Sequence, residues 1–238
     1  KEIEVGFPAA SQPDYDFVRW LIEGDHIPAD VTIQVLVQAR QELVTRSFEA
    51  LRGARRAIVH VYNSTSTVQR ERVFGRDRDG IKAIAVDGAR MLRDEAARHP
   101  ETEWVFQYSP ESFSQTELDF ARDISNAVIS AWEPTRDHPM ILNLPNTLEA
   151  CSPNVYADRI EWMSKHIQNR ESVIISVHPH NDRGCAVASA EWAVLAGAQR
   201  VEGAIRGNGE RSGTVDLSPF AFNYCSQVID PRLRVDKI

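Results

Sequence analysis

Short apolar segments recur along the chain at intervals of about thirty residues: Glu2–Phe7, Thr32–Val37, Ala57–Tyr62, Trp104–Tyr108, Met140–Leu144, Ser172–Val177 and Arg200–Ile205. Each is rich in Val, Ile or aromatic residues and is closed by polar or turn residues, as strands buried in a parallel sheet are. Between them apolar positions repeat every three or four residues, the period of an amphipathic helix. These stretches are Asp14–Glu23, Glu42–Leu51, Asp79–Ala97, Ser114–Ala131, Tyr156–Ile167 and the helix-like Cys185–Ala196. Strand alternating with helix predicts an α/β fold with right-handed crossovers. Seven units of this length predict a (β/α)8 TIM barrel short of one unit; a doubly wound sheet usually has fewer strands and takes its ligand where strand order reverses. No linker or composition shift divides residues 1–238, so a single barrel domain accounts for them.

A barrel makes a second demand, that chemically capable residues gather just after each strand. The strand ends read Gly6-Phe7-Pro8, Gln38-Ala39-Arg40, His60-Val61-Tyr62-Asn63-Ser64 and Tyr108-Ser109-Pro110-Glu111-Ser112. They continue with Asn143-Leu144-Pro145-Asn146-Thr147, His178-Pro179-His180-Asn181-Asp182 and Gly207-Asn208-Gly209-Glu210-Arg211. Polar termini aimed at one mouth predict a site there.

Composition narrows what that site handles. A net charge of −7, with acidic and basic residues interspersed, argues against a nucleic-acid groove. No apolar run approaches the ~20 residues that span a bilayer, and there is no signal-peptide pattern. Cys151, Cys185 and Cys225 follow no regular spacing, which suggests reduced thiols in an intracellular compartment. Asn63-Ser64-Thr65 matches a glycosylation sequon, read as coincidence without a secretory signal. The chain opens on Lys1, enters a strand at Ile3 and has its first methionine at Met91, so it is expected to be an internal piece of a longer protein.

The most informative chemistry is His178-Pro179-His180 at the end of the sixth segment. Residues i and i+2 of a strand project to one side, about 6.6 Å apart, so two imidazoles there can share one metal ion. Pro179, which cannot donate to a ladder, suits a strand running out. Two imidazoles need further donors, from another strand end, water or substrate, and an ion with open positions acts as a Lewis acid and a template. His60 is either a bond donor to a substrate oxygen or a satisfied interior histidine. Glu111 either orients a substrate or cofactor or caps the next helix. Thr147 either offers its hydroxyl to a substrate carboxylate or starts a helix. The run Gly207 to Gly213 has its third glycine one position too late for a dinucleotide fingerprint, and reads as a loop that lets backbone approach an anionic group. Glu4, inside the first segment, needs a partner, and an arginine from the missing unit is the expected one.

Several stretches together resemble the 2-isopropylmalate synthases, in the metal-dependent Claisen-condensing group of barrels that includes homocitrate synthase and hydroxymethylglutaryl-CoA lyase. They are Lys1 to Pro8, Ala57 to Ser66, Tyr108 to Ser112, Asn154 to Asp158, His178 to Gly184 and Gly207 to Gly213. The resemblance implies a TIM barrel whose second to eighth strands are present and whose first is missing. It implies an acyltransferase that joins acetyl-CoA, the co-substrate, to the 2-oxo acid 2-oxoisovalerate in the first committed step of leucine synthesis. A divalent metal ion (Mg, Mn or Zn) is implied, with His178 and His180 as its ligands. His60, Ser109, Glu111 and Thr147 match positions around the keto acid, Glu111 being carried as catalytic. A homodimer, cytoplasmic or mitochondrial in a eukaryote, also follows. The alternatives are a related condensing enzyme or lyase acting on another 2-oxo acid or acyl-CoA, and a non-catalytic homologue. Two departures stand out. The family's Arg-Asp pair on its first strand would precede Lys1, and its asparagine after the glycine-rich loop is replaced by Thr214, expected to be a poorer ligand. The C-terminal subdomain and leucine-sensing domain would lie past Ile238, and the piece alone is expected to be inactive.

Overall fold

A computed structural model describes residues 1–227. Strands and helices alternate as β1 (Glu2–Glu4), α1 (Gln12–Glu23), β2 (Thr32–Gln38), α2 (Gln41–Leu51), β3 (Arg56–Ser64), α3 (Arg78–Arg98) and β4 (Glu103–Glu111). They continue as α4 (Leu118–Trp132), β5 (Met140–Asn146), α5 (Pro153–His166), β6 (Val173–Pro179), α6 (Ala186–Leu195), β7 (Arg200–Val201) and α7 (Leu217–Gln227). The helix starts follow local chemistry. Ser11 accepts from the Asp14 N–H ahead of α1, Asp77 accepts from the Gly80 N–H ahead of α3, and Pro153 opens α5, where a missing N–H costs nothing.

The seven strands form one parallel sheet in chain order, so every crossover steps one strand the same way, the winding of a barrel. The sheet curls until its ends face each other: Arg200 on β7 reaches Glu2 on β1 at 2.5 Å and Gln34 on β2 at 2.9 Å. Among the described residues β7 and β1 are not paired, so the barrel has a seam, bridged by side chains. This is the incomplete TIM barrel that the segment pattern predicts.

Alternate strand residues divide two environments. Val35, Val37, Val59, Val61, Phe106, Tyr108, Leu142, Leu144, Ile175 and Val177 point outward and pack with Phe48, Leu92, Ile124 and Ile160 of the helices. Each fully buried aliphatic or aromatic side chain there contributes about 1.5–3 kcal/mol. The inward positions carry Gln34, His60, Gln107, Ser109, Asn143, Ser176, Arg200 and Glu202, a polar interior tied by hydrogen bonds. One environment stabilises the sheet and the other carries chemistry.

Several expected boundaries move. β3 and β4 run on to Ser64 and Glu111 because they keep pairing there, so His60 lies mid-strand inside the barrel, not at a strand end. The first strand ends at Glu4, although the Leu36 N–H still bonds the carbonyl of Gly6, which lies at φ +121°. The seventh stops after two residues: a Cβ at Gly203 would sit 2.5 Å from the Val215 carbonyl oxygen, and the chain there leaves the sheet to pair Ala204 with Asp216. α4 starts at Leu118 rather than Ser114, behind a tight turn over Phe113–Gln115. A helical turn over Gln69–Phe74 and the helix α7 had no apolar period strong enough to predict them. Within this chain Glu4 finds partners in Gln34, at 2.8 Å, and His60, at 3.9 Å.

Candidate functional site

A cavity of about 320 Å³ opens where the strands end, and all six residues expected at the site line it: His60, Ser109, Glu111, Thr147, His178 and His180. Four separate stretches of the sequence converge because β3 to β6 lie side by side in register, with His60 beside Gln107 and Pro145 beside His178. Leu36, Tyr62 and Pro145 give the cavity apolar wall, and Glu4, Glu202, Glu210 and Arg211 add charge.

The two imidazoles lie edge to face, with ring centroids 5.2 Å apart and planes at 78°. His178 donates from Nδ1 to Glu202 Oε2 at 2.9 Å, which fixes the ring and directs the Nε2 lone pair elsewhere. Burial pulls the His178 pKa down, and the hydrogen bond and charge of Glu202 outweigh it and hold it above the ordinary histidine value. Glu202 is itself held well below the carboxylate range, burial being overcome by His178, His60 and Arg200. His180 differs: burial, then the charges of His178 and Arg211, push it down to about 4. It is therefore neutral, the form that ligates metals, and its Nδ1 faces the Arg211 guanidinium and the Leu148 N–H.

The donor set fits a divalent cation. One imidazole is oriented by a carboxylate through its far nitrogen, as ligating imidazoles are, and a cation at the other would displace the Arg211 guanidinium from Nδ1. Among the described residues no group of three His, Cys, Asp or Glu side chains closes a complete ligand shell. Thr214 lies outside this cavity and lines an adjoining one with Glu4, His178 and Glu202. Its hydroxyl donates to the Pro179 carbonyl at 2.9 Å, and its backbone pairs with His180, so it straps the loop beside the two histidines.

The remaining residues form two hydrogen-bonded groups. His60 Nε2 and Ser109 Oγ lie 2.7 Å apart, and Asn143 Nδ2 donates to the same hydroxyl at 3.0 Å. Glu111 accepts from the Ser64 hydroxyl, which holds its carboxylate at the rim. Thr147 Oγ1 accepts from the Ser112 N–H at 3.2 Å, leaving the hydroxyl proton for a ligand. Glu202, Arg211 and Glu149 are absent from the expected set. Glu202 follows a two-residue strand, and no spacing in the sequence links it to His178. Arg211 was visible in the glycine-rich loop, but its contact with His180 needs the fold.

The HMGL-like family pattern matches residues 1–238. The chain belongs to the HMGL-like family. Within this HMGL-like group it is 63% identical over 98% of its length to the 2-isopropylmalate synthase of Ralstonia nicotianae, and 61% identical over its whole length to that of an Azoarcus species. The chain spans about 40% of the length of those relatives. Among solved structures, an HMG-CoA lyase from Acinetobacter baumannii in complex with coenzyme A and 3-methylmalate superposes with a TM-score of 0.68 at 15% identity, covering 94% of this chain and 71% of that one. The carboxyl transferase domain of Rhizobium etli pyruvate carboxylase, with pyruvate, gives 0.64 at 14% identity, covering 98% of this chain and 38% of that one. These two likenesses show a shared barrel fold.

Proposed function

We propose that this chain carries the catalytic barrel of a 2-isopropylmalate synthase, an acyltransferase that condenses acetyl-CoA with 2-oxoisovalerate to give 2-isopropylmalate and free CoA. The observation that supports the reading most directly is the single cavity that joins His178 and His180 to Ser109, Glu111 and Thr147. The relatives named above carry the same activity in their names.

In this reading His178 and His180 would hold a divalent cation, Mg²⁺, Mn²⁺ or Zn²⁺. Such an ion supplies Lewis acidity, polarising a ketone carbonyl and offsetting negative charge as it develops on oxygen. The chain's own residues then orient the keto acid. Thr147 donates its free hydroxyl proton to the substrate carboxylate. His60 and Ser109, bonded to each other with Asn143 donating to the serine hydroxyl, present a polar edge to the substrate oxygens. Glu111, fixed by Ser64, sets the approach of the second substrate from the rim. Leu36, Tyr62 and Pro145 accommodate the branched apolar end and exclude water from it. A homodimer in the cytoplasm completes the proposal; no helix among the described residues is long and apolar enough to cross a membrane.

The test is release of free thiol by the full-length protein, supplied with acetyl-CoA, a divalent ion and one 2-oxo acid at a time. Thiol release with 2-oxoisovalerate, lost on chelation, is the expected result. Release only with a different 2-oxo acid would sink the substrate assignment and leave the condensation chemistry intact. No release with any 2-oxo acid, together with no divalent binding, would make the barrel a non-catalytic homologue.

A further inference from the structure

Three residues at the ends of β4 and β5 adopt left-handed backbone conformations although none is glycine: Ser112 at φ +62°, Leu148 at φ +57° and Glu149 at φ +47°. Such conformations cost roughly 1–3 kcal/mol each and persist where surrounding contacts over-determine them. The three are linked, since the Ser112 N–H donates to Thr147 Oγ1. Glu149 ends the strained turn 1% exposed, with no arginine or lysine among the described residues on its carboxylate.

The carboxylate accepts instead from two backbone N–H groups, those of Arg183 and of Cys185, the latter at 2.9 Å. Both belong to the loop that follows His180. The same strained turn touches the imidazole itself, because the Leu148 N–H faces His180 Nδ1 at 3.4 Å. The turn is anchored in turn by Asn146, whose side chain bonds both the N–H and the carbonyl of Cys151 at 3.1 Å. The His180 N–H reaches back to the Asn146 carbonyl at 3.4 Å. Backbone strain, a buried charge and a closed loop all converge on the placement of one imidazole.

We propose that Glu149 is a positioning residue that sets the orientation of His180 for cation binding. Its two N–H bonds hold residues 181–185, and with them His180 at the head of that loop, against the end of β5. The competing role is a plain cap for the start of α6, where the Cys185 N–H lies. A cap contributes to stability and leaves cation affinity untouched. The inference rests on the reading of His178 and His180 as cation ligands, so the test separates the two.

Manganese(II) binding to the full-length protein is measured by calorimetry for the parent and for Glu149→Gln, Glu149→Asp, His178→Ala and His180→Ala, each also melted without metal. Glutamine keeps the size but offers one acceptor where two donors point, and its amide faces the other donor. The expected result is a loss of about tenfold or more in manganese affinity for Glu149→Gln, the scale of ligand-orienting groups. Glu149→Asp, one methylene short and still charged, recovers part of that loss; it carries the test if the glutamine variant does not fold. The 2-oxo acid KM should rise more than kcat falls. Amide exchange at Arg183 and Cys185 should quicken. Parent-like affinity in both Glu149 variants, with His180→Ala binding lost, would refute the positioning role. Parent-like affinity in both histidine variants would refute the cation reading beneath it.

Discussion

Replacing Glu202 by glutamine separates the chemical from the structural share of the barrel's polar interior. Glu202 Oε1 accepts from Arg200 Nη1 at 2.6 Å, Gln107 Nε2 at 2.7 Å and Gln34 Nε2 at 3.4 Å, while Oε2 accepts from His178 at 2.9 Å. Glutamine has the same shape, but it lacks the charge and turns one acceptor into a donor facing donors. Removing one partner of a buried ion pair costs about 3–5 kcal/mol. Arg200 keeps Glu2, Gln34 and Ser176, so the lower end applies, about 3 kcal/mol by the same measure. At roughly 2–4 °C per kcal/mol for a domain of this length, the midpoint should fall by about 6–12 °C in a metal-free melt. A second readout follows from the linkage. His178 is raised above its ordinary value in the fold, so its contribution is full below that value, near pH 6.5, and is lost as pH rises through the folded value. Without the Glu202 charge, burial and the charge of Arg200 are opposed by Glu4 alone, and the His178 titration followed by NMR in chelator should shift downward from the parent's. A midpoint that moves by less than about 2 °C, with His178 titrating as in the parent, would refute the argument.

Two further outcomes concern the rim. Glu117 takes two bonds from Arg70, at 2.8 and 2.9 Å, and an ion pair from Arg78 at 3.2 Å, and Arg70's bonds hold its pKa down to about 2 from 4.5. A depressed carboxylate stabilises above its unfolded value and loses that contribution as pH falls toward the folded one. Glu117→Gln should therefore flatten the acid limb of stability between about pH 4.5 and 2, by about 1 kcal/mol after allowance for its exposure; parallel acid limbs would rule this out. Gly213 sits at φ +104°, and a Cβ there would lie 2.2 Å from the Gly207 carbonyl oxygen. Gly213→Ala should cost about 2–3 kcal/mol locally and speed hydrogen exchange of the Asn181 amide, which bonds the Gly213 carbonyl at 3.0 Å. Unchanged exchange at Asn181 would show that the loop absorbs the methyl group.

How far sequence reading carried depended on whether the controlling interaction was local. β2, β5 and β6 were legible because Val, Ile and Leu lie on runs bounded by turn residues, and their ends fell within two residues of the pattern. β7 was overestimated because its length is set by a close approach at Gly203 to a segment twelve residues on, which no local period records. All six expected site residues reached one cavity, since a barrel obliges strand ends to converge. The partner of Thr214 was not legible, because no local pattern pairs its hydroxyl with the carbonyl of the proline between the two histidines, 35 residues away. Glu149 was illegible because its function lies in its backbone angles and in two amides more than thirty residues away.

The ion pair between Arg200 on β7 and Glu2 on β1 has a bearing on how substitutions combine in this barrel. One guanidinium holds Glu2, Gln34, Ser176 and Glu202 at once, across elements up to 198 residues apart in sequence. Changes at any two of these partners share Arg200, so their effects on stability should fail to add.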